Sequence, residues 1–229
     1  PTVVEGIIYI GSPFHDSFFA LNAATGTKIW NFTTVGKVTS SPAVVDGRVY
    51  FSSTDGNVYG FNALSDAKIW SYQTSGSLGE SSPAVVDGRV YIGSSENVYC
   101  LDALTGAKIW NNSKTDRTAW SSPAVANGYV YIGSQDGNIY ALNASTGAQI
   151  WNATGGSSSS PSVATDIVYI GDSYKILAFN ASTGTKIWNY TFPEPEYYMP
   201  SSPAIVNGVV YAGNYLELYA FGTPPATPP

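Results

Sequence analysis

Apolar and polar residues alternate through this chain in short runs, and the runs repeat. One full unit begins at Ser41-Pro42 and runs on through Trp70. It holds four apolar runs, at Pro42–Val45, Arg48–Ser52, Asn57–Phe61 and Lys68–Tyr72. Val, Ile, Tyr and Phe fill them, and no stretch has helical spacing, so each run is predicted to be a strand. Asp46-Gly47 and Asp55-Gly56 separate the runs, because glycine supplies the positive φ that tight hairpins need. The unit is therefore an up-and-down, four-stranded antiparallel sheet.

The phrase that closes the unit recurs as Lys28-Ile29-Trp30, Lys68-Ile69-Trp70, Lys108-Ile109-Trp110, Gln149-Ile150-Trp151 and Lys186-Ile187-Trp188. A period near 40 residues, with four strands per period, predicts a β-propeller. Tyr9, Tyr50, Tyr91, Tyr131, Tyr169 and Tyr211 mark six copies of the second strand. The expected repeats are about 1–40, 41–81, 82–121, 122–159, 160–201 and 202–222, forming one propeller over 1–222 with a Pro/Thr-rich tail at 223–229. The fold class is thus all-β, a six-unit propeller whose sixth blade lacks its outer strand. An unpaired sheet edge is a liability. Three explanations stand for this one: residues upstream of Pro1, a strand donated by another copy, or an edge left open.

The turn before each tryptophan reads Asn22-Ala23-Ala24-Thr25-Gly26, Asp102-Ala103-Leu104-Thr105-Gly106, Asn143-Ala144-Ser145-Thr146-Gly147 and Asn180-Ala181-Ser182-Thr183-Gly184. This resembles the tryptophan-docking repeat of pyrroloquinoline-quinone (PQQ)-type propellers over nearly the whole chain. Blade two departs from it, with Ser65-Asp66 in place of Thr-Gly. The resemblance implies that Trp30, Trp70, Trp110, Trp151 and Trp188 dock one blade on the next, each burying on the order of 200 Å². The family includes quinoprotein dehydrogenases, which resemble one another in eight blades, adjacent cysteines, a calcium site and a catalytic Asp. None of those residues has a match in this chain, which fits the family's non-enzymatic assembly and binding branch better. No cofactor is expected.

Composition narrows the field further. Net charge is −6, and the ten Lys and Arg form no cluster, which argues against nucleic acid as partner. No apolar run is long enough to span a membrane. The chain opens inside a strand, so a mature or excised form is expected. Asn-X-Ser/Thr occurs at Asn31, Asn111, Asn143, Asn152, Asn180 and Asn189. Together with the Pro/Thr tail, these sequons point to an extracellular or cell-surface glycoprotein. Its expected partners are other surface proteins, copies of itself or glycans.

Candidate chemistry is sparse. Cys100 stands where other repeats carry Ala, so it reads as a small buried apolar residue. His15 alone makes no metal site, and Asp55–Asn57 and Asp136–Asn138 read as hairpin turns rather than calcium loops. Glu80 and Glu196 could pair as glycosidase carboxylates, a weak signal among sixteen acids. The repeats differ most in the loop entering each innermost strand, which borders the channel in a propeller. Thr39, Glu80, Trp120, Ser158 and Pro200 stand at equivalent positions there. Thr39, Glu80, Arg117, Trp120, Tyr197 and Tyr198 are the candidate sugar- or peptide-binding residues, because aromatic faces stack on ligands and carboxylates accept hydrogen bonds. The plain alternative is that Trp120 plugs the channel and the tyrosines pack a long loop.

Overall fold

The computed structural model describes residues 1–113, 115, 118, 120–156, 159–193, 201–214 and 216–222. They form strands only, in two compact units, Pro1–Pro123 and Ala124–Pro229. Three sheets make up the first unit. They are β1 Thr2–Val4, β2 Ile7–Ser12, β3 Ser17–Asn22 and β4 Lys28–Thr33; β5 Ala43–Val45, β6 Arg48–Ser52, β7 Asn57–Asn62 and β8 Lys68–Gln73; and β9 Ala84–Val86, β10 Arg89–Gly93, β11 Val98–Asp102 and β12 Lys108–Asn112. The second unit holds β13 Ala124–Ala126, β14 Tyr129–Gly133, β15 Asn138–Asn143 and β16 Gln149–Thr154; then β17 Ser162–Ala164, β18 Ile167–Asp172, β19 Lys175–Asn180 and β20 Lys186–Thr191; then β21 Ala204–Val206, β22 Val209–Gly213 and β23 Leu218–Phe221. Every sheet is an antiparallel meander, four-stranded five times and three-stranded once among the described residues.

Each innermost strand is only three residues long and begins after the proline, which has no N–H to give the ladder. The first hairpin of each blade turns through a left-handed residue. Asp46 and Gly47 sit at φ 50° and 68°, and Asn127 and Gly128 at 52° and 79°. These are the values a two-residue type I′ turn requires.

The core lies between neighbouring sheets rather than within one. In the first unit Phe18 of one blade stacks on Phe51 of the next, ring centres 4.0 Å apart. In the second, Trp151 packs near Phe179. Docking is hydrogen-bonded as well as apolar. Trp30 Nε1 donates to the Ala63 carbonyl at 3.0 Å, and Tyr9 OH donates to the same oxygen at 2.9 Å. Trp70 and Tyr50 converge likewise on Ala103, both at 3.0 Å. Trp151 and Tyr131 converge on Ala181, at 2.9 and 3.1 Å. One carbonyl has two lone pairs, and the two donors fill both. Burial holds the phenols of Tyr9 and Tyr50 above their ordinary range. Burial, then nearby Tyr129 and Asp166, pushes Tyr131 up to about 12.

The tryptophans are aimed by sequence. Each pairs with a small residue on the third strand: Ala20 with Trp30, Gly60 with Trp70, Cys100 with Trp110, Ala141 with Trp151 and Ala178 with Trp188. A register shift follows immediately in all five sheets. A bulge there re-aims the side chain toward the next blade. The Asx residue before each Thr-Gly caps the turn, as when Asn22 Oδ1 accepts from the N–H groups of Ala24 and Thr25, both at 3.0 Å. Blade two is different. Asp66 is not in the left-handed region, and the turn closes by a longer Ser65 N–H to Asn62 carbonyl contact of 3.5 Å. Trp30 docks there all the same.

Candidate functional site

The loops entering β5, β9 and β13 share one construction. A fully buried residue anchors each, at Val38, Leu78 and Thr118. A serine two residues beyond it in the first loop and three in the others is also buried, at Ser40, Ser81 and Ser121. The variable residue between them faces out. Thr39 is half-buried, Glu80 exposed and Trp120 47% exposed. About half of the Trp120 surface is open.

The serines make the frame. Ser40 Oγ accepts from the Ser52 N–H at 3.0 Å and donates to the Ser52 carbonyl at 3.1 Å. Ser81 Oγ accepts from Gly93 N–H at 3.1 Å. The second serine of each pair reaches the neighbouring blade: Ser82 Oγ accepts from Ser41 N–H at 2.9 Å, and Ser122 Oγ from Ser82 N–H at 3.0 Å. In the other unit Ser202 Oγ accepts from Ser160 N–H at 3.0 Å. This ladder ties the innermost strands of adjacent blades without a cross-blade sheet. It was readable in the repeated Ser-Ser-Pro at 40–42, 81–83, 121–123, 159–161 and 201–203. Serine is too common for its chemistry to mark it; only the repetition does.

Of the six nominated residues, the structure brings Thr39 and Glu80 together. Both line a cleft of about 370 Å³ with Ile10, Val38 and Ser41. Thr39 Oγ1 already donates to the Gly79 carbonyl at 2.7 Å, so its lone pairs remain for a ligand but its proton does not. Glu80 contributes an exposed carboxylate. Trp120 is not among the residues lining this cleft. Arg117, Tyr197 and Tyr198 lie outside the described residues, as does Glu196. A carboxylate beside hydroxyl oxygens accepts hydrogen bonds from hydroxyl or amide groups, the donors of sugars and peptides.

The remaining candidates fall where their types suggest. Cys100 is fully buried, and burial pushes its thiol up to about 11. His15 is exposed in the turn between β2 and β3. Asp55 and Asp136 spend their carboxylates on hairpins: each Oδ1 accepts from the N–H two residues on, at 2.9 Å, and each Oδ2 accepts from a tyrosine hydroxyl, Tyr59 and Tyr140. No group of three or more His, Cys, Asp or Glu converges as a metal site among the described residues. Among the sequons, Asn111, Asn152 and Asn189 are exposed, while Asn31, Asn143 and Asn180 are half-buried. No helix among the described residues is long and apolar enough to cross a membrane.

A second surface stands out at blade six. Among the described residues β23 pairs with β22 alone. Leu218 on it is 75% exposed, whereas the residues at its position in other blades, Val58, Val98, Ile139 and Ile176, are fully buried. Trp188, half-buried, opens beside Ala220 and Phe221 into a groove of about 520 Å³.

Comparison with known proteins agrees with this architecture. The chain matches, over residues 1–119 and again over 78–225, the family model described as outer membrane protein assembly factor BamB. No curated protein matches it significantly. Among solved structures, BamB from Moraxella catarrhalis is similar at a TM-score of 0.81 and 22% identity, covering 95% of this chain and 68% of that one. The computationally designed Ika8 protein aligns at a TM-score of 0.80 and 15% identity, covering 96% of this chain and 69% of that one. The quinohemoprotein alcohol dehydrogenase ADHIIG from Pseudomonas putida HK5 aligns at 0.75 and 19% identity, over 100% of this chain and 52% of that one. At these identities the solved structures speak for the fold, which is a β-propeller.

Proposed function

The chain belongs to the PQQ-like repeat family whose model is described as outer membrane protein assembly factor BamB, and we propose that this member is a non-enzymatic interaction module of the cell surface or extracellular space. It serves in structural, adhesive or assembly work, contacting other surface proteins or copies of itself by accepting a strand at blade six. The observation that carries this reading is the outer edge of β23, which among the described residues pairs with β22 alone. Sheet edges recruit strands, because their N–H and C=O groups already point outward. The sequons at Asn111, Asn152 and Asn189 suit a glycosylated surface protein, being exposed. Sedimentation velocity over a hundredfold range of concentration tests self-association: the reading expects a mass that grows with concentration. A mass fixed at one chain, with no partner bound in cross-linking on the cell surface, refutes it.

A second reading rests on a separate observation, the exposed Trp120 and Glu80 on the variable loops. There the module binds a carbohydrate or peptide. A glycan array separates the two readings, with Trp120→Ala as control. That variant should lose glycan binding and keep its melting temperature, since the ring is 47% exposed. A third reading, a quinone-dependent dehydrogenase, has the fold of ADHIIG behind it and no matching residues. Quinone-dependent dye reduction by the purified protein is the result that would support it.

A further inference from the structure

The residue that opens the second strand of blade two is Arg48; its counterparts are Ile7 in blade one and Arg89 in blade three. Arg48 shares a face of β6 with Tyr50, two residues on, because side chains alternate along a strand. That face meets blade three, where Tyr50 OH donates to the Ala103 carbonyl. Arg48 there lines a pocket of about 280 Å³. Val45, Val85 and Leu104 supply apolar walls, and the exposed Asp46 and Asp87 line it too. The Arg48 Nε is buried with no hydrogen-bond partner. A charged donor taken out of water without an acceptor costs free energy. Arg89, by contrast, is hydrogen-bonded to Tyr91 of its own strand. Blades one and two enclose a pocket of the same build, about 330 Å³, with Glu5 and Asp46 as its acids, Leu64 in the place of Leu104, and Ile7 where Arg48 stands. Both pockets are acidic and aliphatic; the second adds a cation.

We propose that the Arg48 pocket binds a free aliphatic α-amino acid as its zwitterion. The α-carboxylate accepts from the guanidinium, Nε–H included, whose planar fork suits a carboxylate. The α-ammonium donates to the carboxylates of Asp46 and Asp87. The aliphatic side chain lies against Val45, Val85 and Leu104. A simple anion would gain Arg48 and meet two carboxylates; a simple cation would gain the carboxylates and meet Arg48. A ligand carrying both charges close together satisfies all three groups. Pockets for drug-sized ligands begin near ~300 Å³, so one of about 280 Å³ suits a molecule of amino-acid size. This site is separate from the blade-six edge and from the Trp120 loop, and depends on neither.

The test is isothermal titration calorimetry of the whole chain with L-leucine, which should bind saturably. Leucinamide lacks the carboxylate and N-acetyl-leucine lacks the ammonium. Each should bind about tenfold or more weakly, because a charge-assisted hydrogen bond is lost. Arg48→Ile should abolish binding while the melting temperature holds or rises, since Ile7 fills that position in blade one and an orphaned donor is removed. Asp87→Asn should weaken leucine and leave N-acetyl-leucine unchanged; Asn tolerates the φ of 49° that Asp87 holds. The two analogues decide the matter on the unaltered protein, however the variants fold. Absence of saturable leucine binding overturns the proposal, as does undiminished binding by Arg48→Ile. Equal affinity for N-acetyl-leucine would make this a site for a carboxylate alone, and equal affinity for leucinamide a site for an amine alone; either result overturns it as well.

Discussion

Gly26 and Gly106 occupy the same place in the Thr-Gly turn, with φ of 71° and 73°, yet they should respond differently to alanine. The backbone cost is shared, because an alanine at such a φ pays about 1–2 kcal/mol for the left-handed conformation. The surroundings are not shared. A Cβ on Gly26 meets nothing within 4 Å, while one on Gly106 lies 2.6, 2.7 and 2.8 Å from three ring atoms of Trp70. That ring cannot swing aside freely, since its Nε1 is bonded to the Ala103 carbonyl. Overpacking of this kind adds about 1–3 kcal/mol. Gly26→Ala should therefore lose about 1–2 kcal/mol and Gly106→Ala about 2–5 kcal/mol, as the two costs add. Gly184→Ala should track Gly106→Ala, because Trp151 lies as close. Urea unfolding followed by tryptophan fluorescence measures all three. Equal losses at the three glycines would refute the claim that the turn glycine exists to admit the neighbouring blade's indole.

Three further expectations follow from single sites. Thr165 holds φ 53°, a strained value for a β-branched residue, where four other blades place Asp or Asn and blade one places Glu5. Thr165→Asn should stabilise the protein by about 1 kcal/mol, seen as a melting temperature about 2–4 °C higher; no gain would show that the turn is not strained. Cys100 should resist a thiol reagent in the native protein and react on unfolding, given its burial and raised pKa; Cys100→Ala should cost little, since Ala fills that place in four blades, and fast native labelling would contradict the assignment. Hydrogen bonds from Thr105 Oγ1 and from the Thr105 and Leu104 N–H groups hold the Asp102 carboxyl below its usual range. A carboxyl depressed on folding adds stability above its unfolded pKa, near ~4, and that stability is lost as pH falls through the folded value. Asp102→Asn keeps the cap, as Asn22 does, so it should flatten the acid limb of a stability–pH profile; an unchanged limb would remove Asp102 from it.

The strands were legible because the same four runs are written several times over, each with its Gly-containing turn. Boundaries erred by a residue where chemistry overrode hydropathy. The inner strand starts at Ala43 rather than Pro42, and the outer strand runs on to Gln73. Docking by Trp30, Trp70 and Trp151 could be read from their motif, but not the shared carbonyl that Tyr9, Tyr50 and Tyr131 also find, since a tyrosine on a strand looks merely apolar. The candidate binding residues were harder. Thr39 and Glu80 do share a cleft, yet nothing in the sequence says that Thr39 has given its proton to Gly79. Leu218 reads like Val58 or Ile139, and only the sheet shows that it has no buried environment. Burial there depends on the next blade, against which Val58 packs with Val90 and Ile92, and Ile139 with Val168 and Ile170, and so is not a property of the residue itself.

Amide hydrogen exchange across Leu218–Phe221, followed from dilute to concentrated protein, tests the assembly account most directly. If blade six accepts a strand from another chain, exchange in β23 slows as concentration rises, while exchange in the fully paired β7 and β15 stays constant. If β23 exchanges at one rate at every concentration while the protein still associates, the contact lies elsewhere and the blade-six account is wrong.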